Sequence, residues 1–334
     1  MPFHCRTTRT VAGAGLAVLV AFASGAHAPP ATAPESRGTA KREWQGQELL
    51  LEYGKVAVGQ HRLDELRTGE TWRLGAGAIA TLRSAAPLIT ADGVIPPGWF
   101  RASIGRPEEE RFALKLDGAG RWMAVGGDDV LLFGEMSFAD PAGKSLEVAL
   151  RPATEQVDPE LLALALTIEF GAPRLTVPLH VVGGAEKKVG GATVTWFKLP
   201  AAWLEQRLEL AKLTPIATVV LAKPKKGLPA ALNLLLSDTQ ARLVPLVEPP
   251  IADGGFGPLP ELSVEHDLRG TVEFAAALAA DGTTPLAPTR HLLLLDAAMT
   301  TKKGVPPTLR LSLRVGTRRA EVTVPLEAAE PVRR

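Results

Sequence analysis

The chain has 334 residues, 46% of them hydrophobic and 22% charged, with a net charge of +1. That balance belongs to a globular protein with a sizeable core, and it lacks the basic stripe that nucleic-acid binding requires. The single cysteine, Cys5, lies at the extreme N-terminus, so the body of the protein has no disulfide, no thiol nucleophile and no cysteine-ligated zinc.

Residues 1–28 read as a cleaved secretory signal. Arg6 and Arg9 precede a short apolar run over 11–22, and SGAHA at 24–28 offers small residues for cleavage. The run is too short for a membrane span, and none is expected in the mature chain. Cys5 stands ahead of the apolar run, where it cannot be a lipoprotein's acylated cysteine. Loss of Arg6 and Arg9 takes the net charge from +1 to −1. The expected location is periplasmic or extracellular. Residues 29–44 show no apolar periodicity and are expected to form a disordered leader.

From 45 to 183, apolar stretches of strand length alternate with Gly, Pro and Asp: LLLEYGKVAV, ATLRSAAPLITA, RFALKLDGAG, VLLFGEMSF and SLEVALR. Phe112, Leu114 and Leu116 alternate with Ala113 and Lys115, giving one buried and one wet face. This spacing predicts a β-sandwich. Residues 184–211 are expected to be a linker and a helix. GGAEKKVGG at 183–191 would form a nickable connector, and Trp203, Leu204, Leu208 and Ala211 fall near helical spacing after Pro200. A second β domain would occupy 212–327, with a loose loop at 248–260 and a tail at 328–334. The fold class is therefore all-β: two β-sandwich-like domains joined by one short helix, unfolding in two separable events. LALTIEFGAPRLTVPL at 164–179 is echoed by LSLRVGTRRAEVTVPL at 311–326 and more weakly by LNLLLSDTQARLVPL at 232–246. Each reads as a hairpin ending near a proline, arising from duplication of a domain or from shared hairpin composition.

Three segments carry a resemblance. Residues 53–59 read YGKVAVG, residues 72–76 read WRLGA, and residues 97–100 read PGWF. Over about 45–183 the chain resembles the secreted bacterial family catalogued as domain of unknown function 2911. Gly77-Ala78 replaces the Asn-Glu usual in that family, so any chemistry that this pair carries in relatives is expected to be lost here.

On a strand, Trp72 and Arg73 point to opposite sides. Trp72 is then a core anchor whose truncation should cost about 3–5 kcal/mol. Arg73 either pairs with a carboxylate, Asp64 or Glu70, or recognises an anion with its guanidinium fork. His61 and Trp99 are the candidates for the rest of such a binding cleft. Metal and cofactor sites are not expected. Glu265 and Asp267 flank His266 on the opposite strand face, and Asp128-Asp129 with Glu135 lacks calcium-loop spacing, so it reads as a turn. His180 and His291 have no metal-ligand spacing either. There is no Gly-x-Ser-x-Gly elbow around Ser103, Ser237 or Ser263, and Gly75-Ala76-Gly77-Ala78 does not continue as a phosphate loop.

The resulting expectation is an exported binding or structural module for a small molecule, glycan or protein. The alternative is a periplasmic hydrolase whose acid–base pair is drawn from distant segments, His61 with Asp64 or Glu135. Export has a direct check: mass spectrometry of the exported protein should find a new N-terminus at His27 or Pro29, and an intact cytoplasmic product would refute it.

Overall fold

The computed structural model describes residues 37–58, 63–75, 80–90, 93–117, 129–153, 158–209, 212–223, 230–237, 241–246, 271–276, 287–305 and 307–326. β1 (Arg37–Trp44) and β2 (Gln47–Gly54) pair antiparallel across a two-residue turn, Gln45-Gly46. Both turn residues have positive φ, the conformation whose twist matches that of the strands it joins. Over 37–44, β1 corrects the disordered leader expected for 29–44; residues 29–36 lie outside the described residues. Its inward residues are Gly38 and Ala40, too small to register as a hydrophobic period. Gly38 lies flat on Tyr53, and any Cβ there would run into the phenol ring.

All of the first twelve strands join one sheet. Its main path runs β1, β2, β4 (Thr81–Ser84), β7 (Gly98–Glu108), β8 (Arg111–Asp117), β9 (Asp129–Phe138), β12 (Pro173–Val182), β11 (Leu161–Glu169) and β10 (Glu147–Pro152). β3 (Thr71–Arg73) adds to β7, and β5 (Leu88–Thr90) joins β12 and pairs with β6 (Gly93–Ile95). β9 turns the corner. Residues 129–134 pair with β8, and residues 135–138 pair with β12. At the changeover a Cβ on Gly134 would sit 2.5 Å from the Thr176 carbonyl oxygen and 2.9 Å from a Leu175 methyl. Bent there, the sheet folds over one core. Leu82, Phe100, Leu114 and Leu116 enter from one half; Leu166, Ile168, Leu175 and Val177 enter from the other. The outer strands β1 and β10 come together without a ladder. Side chains close this seam instead: Arg42 Nε of β1 donates to the Leu150 carbonyl at 2.7 Å, and the Val148 N–H donates to the hydroxyl of Tyr53 on β2 at 3.2 Å.

Residues 184–211 are not a linker followed by a helix. They begin with β13 (Gly184–Val189) and β14 (Ala192–Phe197), the start of a five-stranded sheet that continues through β15 (Thr214–Leu221), β16 (Ala231–Leu236) and β17 (Ala241–Pro245). The polar GAEKKV segment is the sheet's edge strand, where charge is favoured. Only then comes the expected helix, α1 (Ala201–Glu209), with Leu204 and Leu208 buried. A third sheet has the order β18 (Thr271–Ala276), β21 (Arg318–Pro325), β20 (Thr308–Val315), β19 (Leu293–Thr300). The region expected as one second domain over 212–327 therefore holds two sheets, the first of which begins upstream at Gly184. Among the described residues no helix is long and apolar enough to cross a membrane.

The three echoed segments each fold as a hairpin, one per sheet: β11–β12, β16–β17 and β20–β21. Pro178 lies in β12 just past the residues paired with β9 and just before those paired with β5. A residue without an N–H costs no ladder bond in that gap. Trp72 stands opposite Ile104 and packs against the core, as its strand position predicts, but it is only half-buried. Its truncation should therefore cost less than the 3–5 kcal/mol of full burial.

The corner gives a stability prediction. Gly134→Ala should destabilise the protein by about 1–3 kcal/mol through overpacking against the Thr176 backbone, measured by chemical denaturation. An unchanged midpoint would mean that the corner is not tight.

Candidate functional site

The register of the second sheet places Glu186, Thr195, Thr218 and Asn233 side by side across β13, β14, β15 and β16. Thr195, Thr218 and Asn233 are buried while Glu186 is exposed at the sheet edge, and buried polar groups need hydrogen-bond partners. Thr218 Oγ1 donates to Asn233 Oδ1 at 2.9 Å, and Thr195 Oγ1 donates to Glu186 Oε1 at 3.4 Å. Asn233 is fully buried, and its Nδ2 donates across to the Pro97 carbonyl of the first sheet at 2.8 Å. One amide thus ties the two sheets together.

Beside this tie a cleft of about 390 Å³ opens between the sheets. Thr195 and Thr218 line it on one side; Gln47, Arg83, Ser84 and Trp99 line it on the other. Arg83 and Trp99 are register partners on the outer face of β4 and β7, and the guanidinium carbon lies 5.1 Å from the centroid of the Trp99 ring, a cation–π contact. Glu48 approaches Arg83 only to 3.7 Å, and its closer partner is Lys41. The hydrogen bond from Lys41 holds the Glu48 carboxyl below the usual carboxylate range; burial opposes it, and the charges of Lys41 and Arg83 add to it. Gln47 is 6% exposed, and among the described residues its side-chain amide has no hydrogen-bond partner.

Of the sequence candidates, Trp99 lies in the cleft. Arg73 is exposed on β3 opposite Ser103, four residues along β7 from Trp99 and therefore about 13 Å away at the backbone. The two share a strand face without sharing a cleft. His61 lies outside the described residues, as do His266 and Asp128. Gln47, Arg83, Thr195, Thr218 and Asn233 were not predicted. The available signal was a lone polar residue inside an otherwise apolar strand, as in TPIATVVL and ALNLLL.

A second polar cluster joins all three sheets. Glu160 Oε2 accepts from Lys198 Nζ at 3.0 Å and from Gln45 Nε2 at 3.2 Å. His291 Nε2 stands 3.3 Å from Asp158 Oδ1, which also accepts the Glu160 N–H at 2.8 Å. Burial pushes the Glu160 carboxyl up, but the hydrogen bonds from Lys198 and Gln45, with the charges of Lys198 and His291, outweigh it and hold it below the usual range. Neither His291 nor Asp158 lines the cleft. No group of three metal-ligating side chains occurs among the described residues. Comparison with known families, curated proteins and solved structures finds no match to the chain.

The Glu160 cluster predicts a pH dependence. A carboxyl depressed in the folded state adds stability above its ordinary value of 4.5, and this is lost as pH falls through the folded value. Glu160→Gln should therefore lower stability by about 1 kcal/mol at neutral pH. The difference from wild type should shrink towards zero in acid denaturation series below pH 4.5. A difference independent of pH would remove the charge from the account.

Proposed function

We propose that the protein is exported and works as a binding module, taking a small polar molecule into the cleft between the first and second sheets. The cleft itself carries this reading. Its volume of about 390 Å³ lies within the usual range for small-molecule sites, about 300–1,000 Å³. Its wall joins an indole ring to a few convergent polar groups, the combination that fixes a ligand's orientation. Export rests on the Arg-flanked apolar run and small residues of 1–28. The resemblance to the family of unknown function 2911 rests on its motif residues. Two of its segments meet on paired strands, since Trp72 and Arg73 lie on β3, and Gly98, Trp99 and Phe100 open β7.

The hydrolase reading has one observation in its favour: His291 and Asp158 are an acid–base pair 133 residues apart in sequence. The pair sits among backbone contacts at a sheet junction, where the Pro200–His291 bridge and the Asp158 turn hold it in place. It faces neither the cleft nor, among the described residues, a serine placed as a nucleophile. Binding therefore accounts for more of the structure.

Ligand-observed NMR with a panel of sugars, organic acids and amino acids tests the proposal. Hits should lose at least tenfold in affinity in Trp99→Ala and keep their affinity in Arg310→Ala, a surface change on the third sheet. Hits that bind Trp99→Ala unchanged would move the site elsewhere.

A further inference from the structure

The donors and acceptors facing the cleft are not balanced, and the imbalance specifies a ligand. A hydroxyl has one proton to donate and two lone pairs. Ser84 already donates to the Ala86 carbonyl, Thr195 to Glu186 and Thr218 to Asn233. What these three groups can still offer is lone pairs, which suit ligand O–H donors. Gln47 is more than nine-tenths buried, lines the cleft and has no partner for its amide among the described residues. It can both donate and accept. Arg83 is the cation of the site. Glu48, at 3.7 Å, is beyond hydrogen-bond reach, and the Trp99 ring positions the guanidinium. A planar fork so placed matches a carboxylate bidentately.

We infer, resting on the cleft reading above, that the ligand is a polyhydroxylated carboxylic acid of monosaccharide size, a sugar acid. Its carboxylate meets Arg83, and its hydroxyls meet Gln47, Thr195 and Thr218. A neutral sugar leaves the guanidinium with only its 3.7 Å ion pair to Glu48. A bare inorganic anion leaves the hydroxyl oxygens without donors.

Isothermal titration of the full protein with glucuronate, galacturonate, glucose and inorganic phosphate separates these cases. The expected result is that one of the uronates binds at least tenfold more tightly than glucose or phosphate. Arg83→Met keeps the apolar stem over Trp99 and should reduce uronate affinity to that of glucose, while Gln47→Met should weaken glucose and uronate alike. Should Arg83→Met fail to fold, Arg83→Lys retains the charge without the fork and should still lose several-fold. Glucose binding as tightly as the uronates, with Arg83→Met changing neither, overturns the acid assignment and leaves the cleft reading standing. Phosphate binding more tightly than either uronate overturns the hydroxyl half and makes the site one for a free anion. Binding of none of the four probes overturns the sugar-acid assignment. Uronate binding untouched by Trp99→Ala overturns both the assignment and the cleft reading.

Discussion

The buried amide of Asn233 is the contact on which the arrangement of the first two sheets turns. It accepts from Thr218 within its own sheet and donates to the Pro97 carbonyl of the other. Each bond alone adds about 1 kcal/mol, but losing both would strand a buried carbonyl and a buried hydroxyl at about 1–3 kcal/mol each. An apolar contact at this place could slide; a hydrogen bond to one particular carbonyl cannot. The cleft opens beside that fixed point because its neighbours are small or short: Gly98, Ala85, Ala230 and Ala231 line it.

Close backbone approach supplies the rest of the geometry. Gly134 lets β9 leave one half of the first sheet for the other. At the junction with the second sheet, Gly183 and Gly184 lie against the side chains of Gln45 and Gln47, with the Gln47 nitrogen only 3.0 Å from where a Gly184 Cβ would be. Those glycines bring the first hairpin against the second sheet, Gln45 reaching Glu160 and Gln47 facing the cleft. The Glu160–Lys198 pair and the His291–Asp158 contact then draw in the second and third sheets.

The same residues explain what could and could not be read from sequence. The three hairpins were legible because alternation and turn residues are local. β1 was not, since its inward positions are Gly and Ala and its outward ones are polar or charged. GGAEKKVGG reads as a linker because glycine and charge mark loops, yet Gly183 and Gly184 serve packing, Gly190-Gly191 turn the hairpin and the charges mark a sheet edge. Trp99 stands out in its motif and lines the cleft, while Arg73 shares its strand face four residues further along β7. Gln47, Thr218 and Asn233 come together only through register and sheet docking, which no short window of sequence contains.

Calorimetry of wild type and Asn233→Ala tests the central claim, that one buried amide couples the sheets on either side of the cleft. The account predicts a single unfolding transition in both proteins, reflecting the apolar core that runs continuously through all three sheets. It also predicts that the whole transition moves down by several degrees in the variant. Two resolved transitions with only one of them displaced, or a variant that melts with wild type, would contradict it.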